Sequence, residues 1–205
     1  MSRPKRTEAE VQWRRERILD ASAAVFQRVG FAAATMEEIA RESEYSTGAL
    51  YNYFKGKEEI FVAALEQATA RFDGVFAEAV PAGLDFEHRL RWRMARITEV
   101  AFATRGLIMV MNGGEGPPSL GAYAPRVQQC EAQAPQLWEA LLAEGQSEGC
   151  LRVDLAPRML AEALMGMVKG VLAPMIVAPH PPTLDVLQSA TARLIDLFLH
   201  GAQHR

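Results

Sequence analysis

Residues 35–61 read TMEEIARESEYSTGALYNYFKGKEEIF, and the rest of the chain can be read outward from this stretch. Thr35 followed by Glu38 has the spacing of a capping box, in which hydroxyl and carboxylate each satisfy a backbone N–H at a helix start. Glu37 and Glu38 also suit the positive end of that helix. Ile39 and Ala40 give it a short apolar face, and it is predicted to end near Glu42–Ser43. Ser46 caps the next short helix, Thr47–Phe54, and another begins near Lys57. The nine residues STGALYNYF (46–54) carry no charge, and Lys55 and Lys57 follow at once. Leu50 and Phe54, four apart, share one face; Thr47/Tyr51 and Gly48/Asn52 share the opposite one. A neutral exposed face on so short a helix asks for another molecule to complete it.

Helical periodicity extends in both directions. Upstream, Ile18, Ser22, Val25 and Val29 form a stripe widened by Leu19 and Phe26, and Gly30 supplies the stop. This first helix is expected from about Glu8–Glu10 to Val29. Downstream, Ile60, Phe61, Ala64, Leu65 and Ala68 repeat the pattern. Later helices are expected over Phe86–Thr104, broken by Gly106, and over Ala124–Glu148, kinked or restarted at Pro135 and stopped by Gly149. The next opens at Asp154–Pro157 with Asp154 as its cap. The last is capped by Thr183 and runs to about His200. The run NGGEGPPSLG (112–121) reads as a loop. Strand signals are missing, with no sustained alternation and no Asn-Gly or Asp-Gly hairpin turn. The expected fold is all-α, about nine helices, divided into an N-terminal domain (1–60) and a larger C-terminal domain (61–205).

Composition narrows the function. The chain has 205 residues and a net charge of −3, so any polyanion partner must meet a local patch. Residues 1–35 hold seven Lys/Arg against four acidic groups, whereas residues 61–205 hold twelve against fifteen. That asymmetry points to a polyanion-facing N-terminus on an acidic body. Cys130 and Cys150 stand alone, without CxxC or Cys/His spacing, and read as free thiols in a reducing cytosol. The N-terminus lacks a signal-peptide h-region. Met159–Val177 is interrupted by Glu162, Lys169 and Pro174, which suits a buried or interface helix rather than a membrane span. No HExxH, GxSxG, GxGxxG or P-loop motif occurs, so neither an enzyme nor a cofactor or metal site is expected.

Two short helices joined by a tight turn make a helix-turn-helix candidate, whose second helix would enter the major groove while the first crosses the backbone. Gly48 would leave room for a sugar-phosphate backbone, and Lys55, Lys57 and the basic N-terminal arm would supply attraction. An ordinary amphipathic bundle helix with half-buried tyrosines fits the same spacing.

The segment Thr35–Phe61 resembles the DNA-binding domain of TetR-family transcriptional regulators. The resemblance rests on Thr35, Ile39-Ala40, Ser46-x-Gly48-x-Leu50-Tyr51-x-x-Phe54 and Lys57-Glu58. Upstream, Ile18-Leu19-Asp20-Ala21, Phe26 and Gly30-Phe31 extend it, so that it covers about Arg14–Leu65. It implies an all-helical homodimer that binds double-stranded operator DNA and a small-molecule effector, pairing through its last two helices (about 157–174 and 183–200). Thr35, Tyr51, Tyr53 and Lys57 would lie at phosphates, and Thr47, Gly48 and Asn52 at or near base edges, with Ser46 at the start of the reading helix. The turn departs from the family's Ala-Gly-Val-Ser: here it is Ser43-Glu44-Tyr45-Ser46. Glu44 puts a side chain where a left-handed conformation is expected, at a cost of about 1 kcal/mol. Tyr45 must find space at the turn or tip its hydroxyl to solvent.

In the C-terminal half, the helices after Pro157 and Thr183 are apolar nearly all round, and Gly166 and Gly170 would permit close approach. A four-helix dimer interface and burial in a monomer core both account for this. Trp92, Phe102, Met109, Tyr123, Trp138 and Met165 are candidate linings of an effector cavity, with Arg96 as a partner for a ligand anion; taken singly, such apolar residues are more often plain core and such an arginine more often part of a solvated face. The expected function is a cytoplasmic, ligand-responsive regulator, a repressor released from a palindromic operator by a small apolar or amphipathic effector. An activator or partner-controlled regulator, or a helical carrier that does not bind DNA, are the alternatives.

Overall fold

Helix α1 spans Glu8–Ala33, started by Thr7, whose side chain accepts from the Glu10 N–H. Gly30 interrupts it with φ 77 and ψ 162, a backbone conformation glycine adopts without a Cβ penalty. The expected stop at Gly30 is therefore a break, after which the chain turns through Phe31–Ala33. The computed structural model describes residues 7–202 except 106, 109–117, 133, 177 and 179. Met109, Gly106 and residues 112–117 of the expected loop lie outside the described residues.

Helix α2 (Met36–Glu42) carries the full capping box: Glu38 N–H donates to Thr35 Oγ1 at 3.2 Å and Thr35 N–H donates to a Glu38 carboxylate oxygen at 3.1 Å. It ends in a Schellman turn. Tyr45 N–H donates to the Ala40 carbonyl at 2.9 Å and Glu44 N–H to that of Arg41 at 3.3 Å, with Glu44 in the left-handed region at φ 62. The strained residue of the turn is the one its sequence departure marks. Glu44→Gly is expected to raise stability by about 0.5–1 kcal/mol, since removing the Cβ penalty outweighs the added freedom of the unfolded chain. The exposed Arg17–Glu44 ion pair that this change removes contributes little. Thermal unfolding of the two proteins checks this.

Helix α3 is shorter than expected, Thr47–Leu50, with Ser46 as N-cap. Its last turn tightens: Asn52 and Tyr53 N–H donate to the carbonyls of Ala49 and Leu50, three residues back, at 3.2 and 2.8 Å. Helix α4 (Lys57–Ala77) then begins. These elements, to residue 67, and residues 105–127 form one compact unit; residues 68–104 and 128–205 form the second. The units are thus drawn differently from 1–60 and 61–205, with 105–127 joining the N-terminal one. In that unit the fully buried Ile18, Val25, Phe26, Ile39, Leu50, Phe54 and Phe61 make the core. Residues 118–123 form a 3₁₀ helix, so the end of the expected loop is ordered. Arg126 locks the segment to α4 through two bonds to Glu66, at 2.7 and 2.6 Å.

The second unit contains α5 (Phe86–Ala103), α7 (Ala134–Ser147), α8 (Pro157–Ile176) and α9 (Leu184–Ala202), with α6 (Ala124–Ala132) straddling the boundary. The predicted helix 124–148 is two helices, restarted beside Pro135, and Gly149 (φ 74) ends the second. Asp154 is no cap. Its carboxylate binds Arg152 in two bonds, while Ala156 accepts the first helical N–H groups and Pro157 takes the first position. The core gathers Phe86, Leu90, Met94, Trp138, Leu142, Leu151, Leu164 and Ile195. Thr98 and Thr191 meet inside it at 2.9 Å, joining α5 to α9 while each also reaches its own helix carbonyl. The arginines of α5 are clamps rather than a solvated face. Arg91 bridges Glu87 and Asp196, and Arg93 donates to the carbonyls of Val75 and Phe76 at the negative end of α4.

Helix α8 has the length and apolarity of a membrane span by composition. Leu160, Leu164, Leu172 and Ile176 nevertheless pack inward, while Met159, Val171 and, on α9, Val186 and Leu197 stay exposed.

Candidate nucleic-acid interface

The recognition element is anchored from below. Leu50 and Phe54 are 0% and 1% exposed, so the opposite face of α3 and its final turn points outward. On it Gly48 and Asn52 are exposed, Thr47 is half-buried, and the Tyr51 side chain is 55% exposed. A Cβ built on Gly48 would meet nothing within 4 Å, so the protein itself does not demand glycine there. Thr35 and Ser46 are exposed at the starts of their helices, each with its side-chain oxygen accepting a backbone N–H.

Two predicted contact residues are occupied otherwise. Tyr53 is half-buried; its carbonyl accepts from Arg15 at 2.9 Å and its hydroxyl is hydrogen-bonded to Arg14. That bond, more than the neighbouring Glu10 carboxylate, holds the Arg14 guanidinium above its ordinary pKa. Lys57 donates to three backbone carbonyls, those of Phe31, Ala32 and Ala34, at 3.0, 2.9 and 3.0 Å.

Bracing by α1 is not legible in the sequence. Arg15 lies over the Phe54 ring at 4.3 Å and, with Arg14, pins the end of the reading segment. Arg15 and its partner Tyr53 are 38 residues apart, and no local spacing announces them. Among the described residues of the basic N-terminus, Arg14 pairs with Glu10, Arg17 with Glu44 and Arg28 with Glu42, while Arg3, Lys5 and Arg6 lie outside the described residues.

The candidate effector residues are dispersed by the fold. Trp138 is core, edge-on to Phe76 at 5.1 Å, and Met165 packs against the same cluster. Arg96 is held by Glu78 and Glu99, and its hydrogen bond keeps the Glu78 carboxylate below the usual range. Trp92 and Phe102 are half-buried in the second unit, and Tyr123 lies in the first unit under Arg126. A groove of about 530 Å³ is instead lined by Val171, Met175, Val186, Ala190, Arg193 and Leu194 of α8 and α9. Among the described residues, none of those predicted for the effector lines it. Among the described residues no group of three or more His, Cys, Asp or Glu could hold a metal.

A capped helix, a left-handed turn and a second short helix anchored on one side define a helix-turn-helix protein. Residues 18–64 match the family model of bacterial regulatory proteins, tetR family. The HTH-type transcriptional repressor KstR of Mycolicibacterium smegmatis is 33% identical over 84 residues, 41% of this chain and 41% of that protein. The match thus spans about two fifths of that relative's length. The HTH-type transcriptional repressor DhaR of Mycobacterium sp. is 23% identical over 83% of this chain and 86% of its own. The solved fatty acid degradation regulator FadR from Bacillus halodurans aligns at a TM-score of 0.76 and 20% identity, covering 98% and 100% of the two chains. A TetR-like regulator from Rhodococcus sp. RHA1 aligns at 0.64 and 25%, covering 96% and 100%. Residues 18–64 are therefore a helix-turn-helix domain of the tetR family type, and the chain as a whole shares the fold of the regulators it aligns with.

Proposed function

We propose that this regulator is a cytoplasmic repressor that binds a palindromic operator as a homodimer and is released by a small apolar or amphipathic effector. The observation that carries the DNA-binding part is the outward, uncharged face of α3, Thr47, Gly48, Tyr51 and Asn52, set on the buried anchors Leu50 and Phe54. Hydroxyls and an amide at these places suit phosphate oxygens and base edges. Thr35 and Ser46 flank them and Tyr53 backs them. The exposed apolar side chains of α8 and α9 support pairing through those helices, which would bring two reading helices to major grooves about 34 Å apart. Partly buried Phe72, Val100, Met165 and Met167 around the core of the second unit support an apolar effector there. Effector binding would favour a dimer arrangement that no longer matches the operator.

The test is selection of duplexes from a random library by the whole protein, with its oligomeric state followed by sedimentation. A palindromic consensus bound by a dimer is expected; recovery of no enriched duplex refutes the reading and favours a carrier. On the selected duplex, Asn52→Ala is expected to cost about 1–3 kcal/mol and relax preference at one base pair. Tyr51→Phe should weaken all sequences alike.

A further inference from the structure

We infer that Lys57 is a positioning residue that sets the approach of α1 to α2 for DNA binding, and that its ammonium does not contact a phosphate. This rests on the DNA-binding reading above. After Gly30 breaks α1, the carbonyls of Phe31, Ala32 and Ala34 converge on Lys57 Nζ at 3.0, 2.9 and 3.0 Å. An ammonium has three hydrogens and no acceptor, so these bonds use all of its donors. The Phe31 ring closes a further side, with its centroid 5.0 Å from Nζ. Chemistry explains the cage from both directions. Carbonyls after a helix break lack intrahelical partners and carry negative partial charge. A cation at the first residue of α4, where the helix dipole is positive, needs such compensation. Ala34 immediately precedes Thr35, the capping residue of α2. The cage therefore ties the start of α4 to the end of α1 and the beginning of α2, the helix that α3 packs upon. A phosphate oxygen could recruit this ammonium only by displacing a carbonyl.

The experiment measures affinity for the selected duplex against salt concentration, for wild type, Lys57→Met and Lys57→Arg, with folded fractions taken from circular dichroism. Lys57→Met keeps the stem and removes the donors. Both variants should bind about tenfold weaker or worse, because a loosened supporting shell misplaces the contacting groups. Their slopes of log affinity against log salt should equal that of wild type. Arginine should not rescue, since a planar fork cannot satisfy three carbonyls converging on a point. A phosphate role predicts the opposite: a slope smaller by about 0.9 for each phosphate that Lys57→Met leaves unneutralised, and rescue by arginine. Either result overturns the inference. A second measurement needs no variant. In wild type the Lys57 ammonium nitrogen resonance should be protected from water exchange and unmoved by the duplex; a large shift on binding also overturns it. If the wild type retains no duplex, the DNA-binding reading itself fails, an outcome distinct from a changed slope.

Discussion

Phe61→Ala is expected to destabilise the N-terminal unit by about 3–5 kcal/mol, a large share of what a domain of this size possesses. The ring is fully buried and stands edge-on to two others, 5.7 Å from Phe26 and 5.3 Å from Phe31, which are themselves 5.5 Å apart. Truncation removes both of these edge-to-face pairs, an arrangement aromatic rings favour, and leaves a void beneath the break at Gly30. The same residue lies one helical turn beyond Lys57, so the void also loosens the Phe31 ring that walls the ammonium cage. Urea unfolding followed by circular dichroism measures the loss. Hydrogen exchange of residues 18–64 locates it. Phe61→Leu, which keeps most of the volume, should cost less than half as much. A loss below about 1 kcal/mol for the alanine variant would show that the ring cluster is not the core of this unit.

Gly145→Ala should destabilise the second unit by about 1–3 kcal/mol, opposite in sign to the usual gain of about 1 kcal/mol for this change inside a helix. A Cβ there would stand 2.5 Å from Phe86 Cζ and 2.7 Å from both Cε atoms, and the Phe86 side chain is 1% exposed among packed neighbours. The ring has nowhere to swing. The backbone is held as well, because the Gly145 carbonyl accepts the N–H groups of Cys150 and Leu151 where α7 ends. Phe86→Leu in the same chain should restore part of the loss, so the two changes are less than additive. Equal or raised thermal stability of Gly145→Ala would refute the close approach of α5 and α7.

The contrast between Gly145 and Glu44 shows how far residue identity can be read locally. Glu44 is legible through the family resemblance, whose turn carries glycine at that position and so implies a left-handed residue there, as φ 62 bears out. Gly145 is not, because its reason is a ring on a different helix. The same division runs through the interface. Leu50, Phe54, Thr47 and Asn52 sort themselves onto two faces by spacing alone, and the structure buries the first pair and turns the second outward. Arg14, Arg15 and Lys57 read in the sequence as charge for a polyanion. Folding assigns them instead to Tyr53, to the Phe54 ring and to the carbonyls after the helix break. The residues offered for an effector cavity divide similarly, Trp138 joining the core and Arg96 an ion-pair cluster.

The sequence by itself determined most of the helices, the caps Thr35 and Ser46, the interruption at Gly30 and the face that α3 turns outward, while the left-handed turn came with the family resemblance. These depend on groups within a few residues of one another, where hydrogen-bond geometry and the helical period leave few options. Only the tertiary structure decided which cations are available and which glycine is crowded. A long charged or aromatic side chain takes whichever partner the fold brings within reach, and that partner lies 23 to 26 residues away for Lys57 and 38 for Arg15.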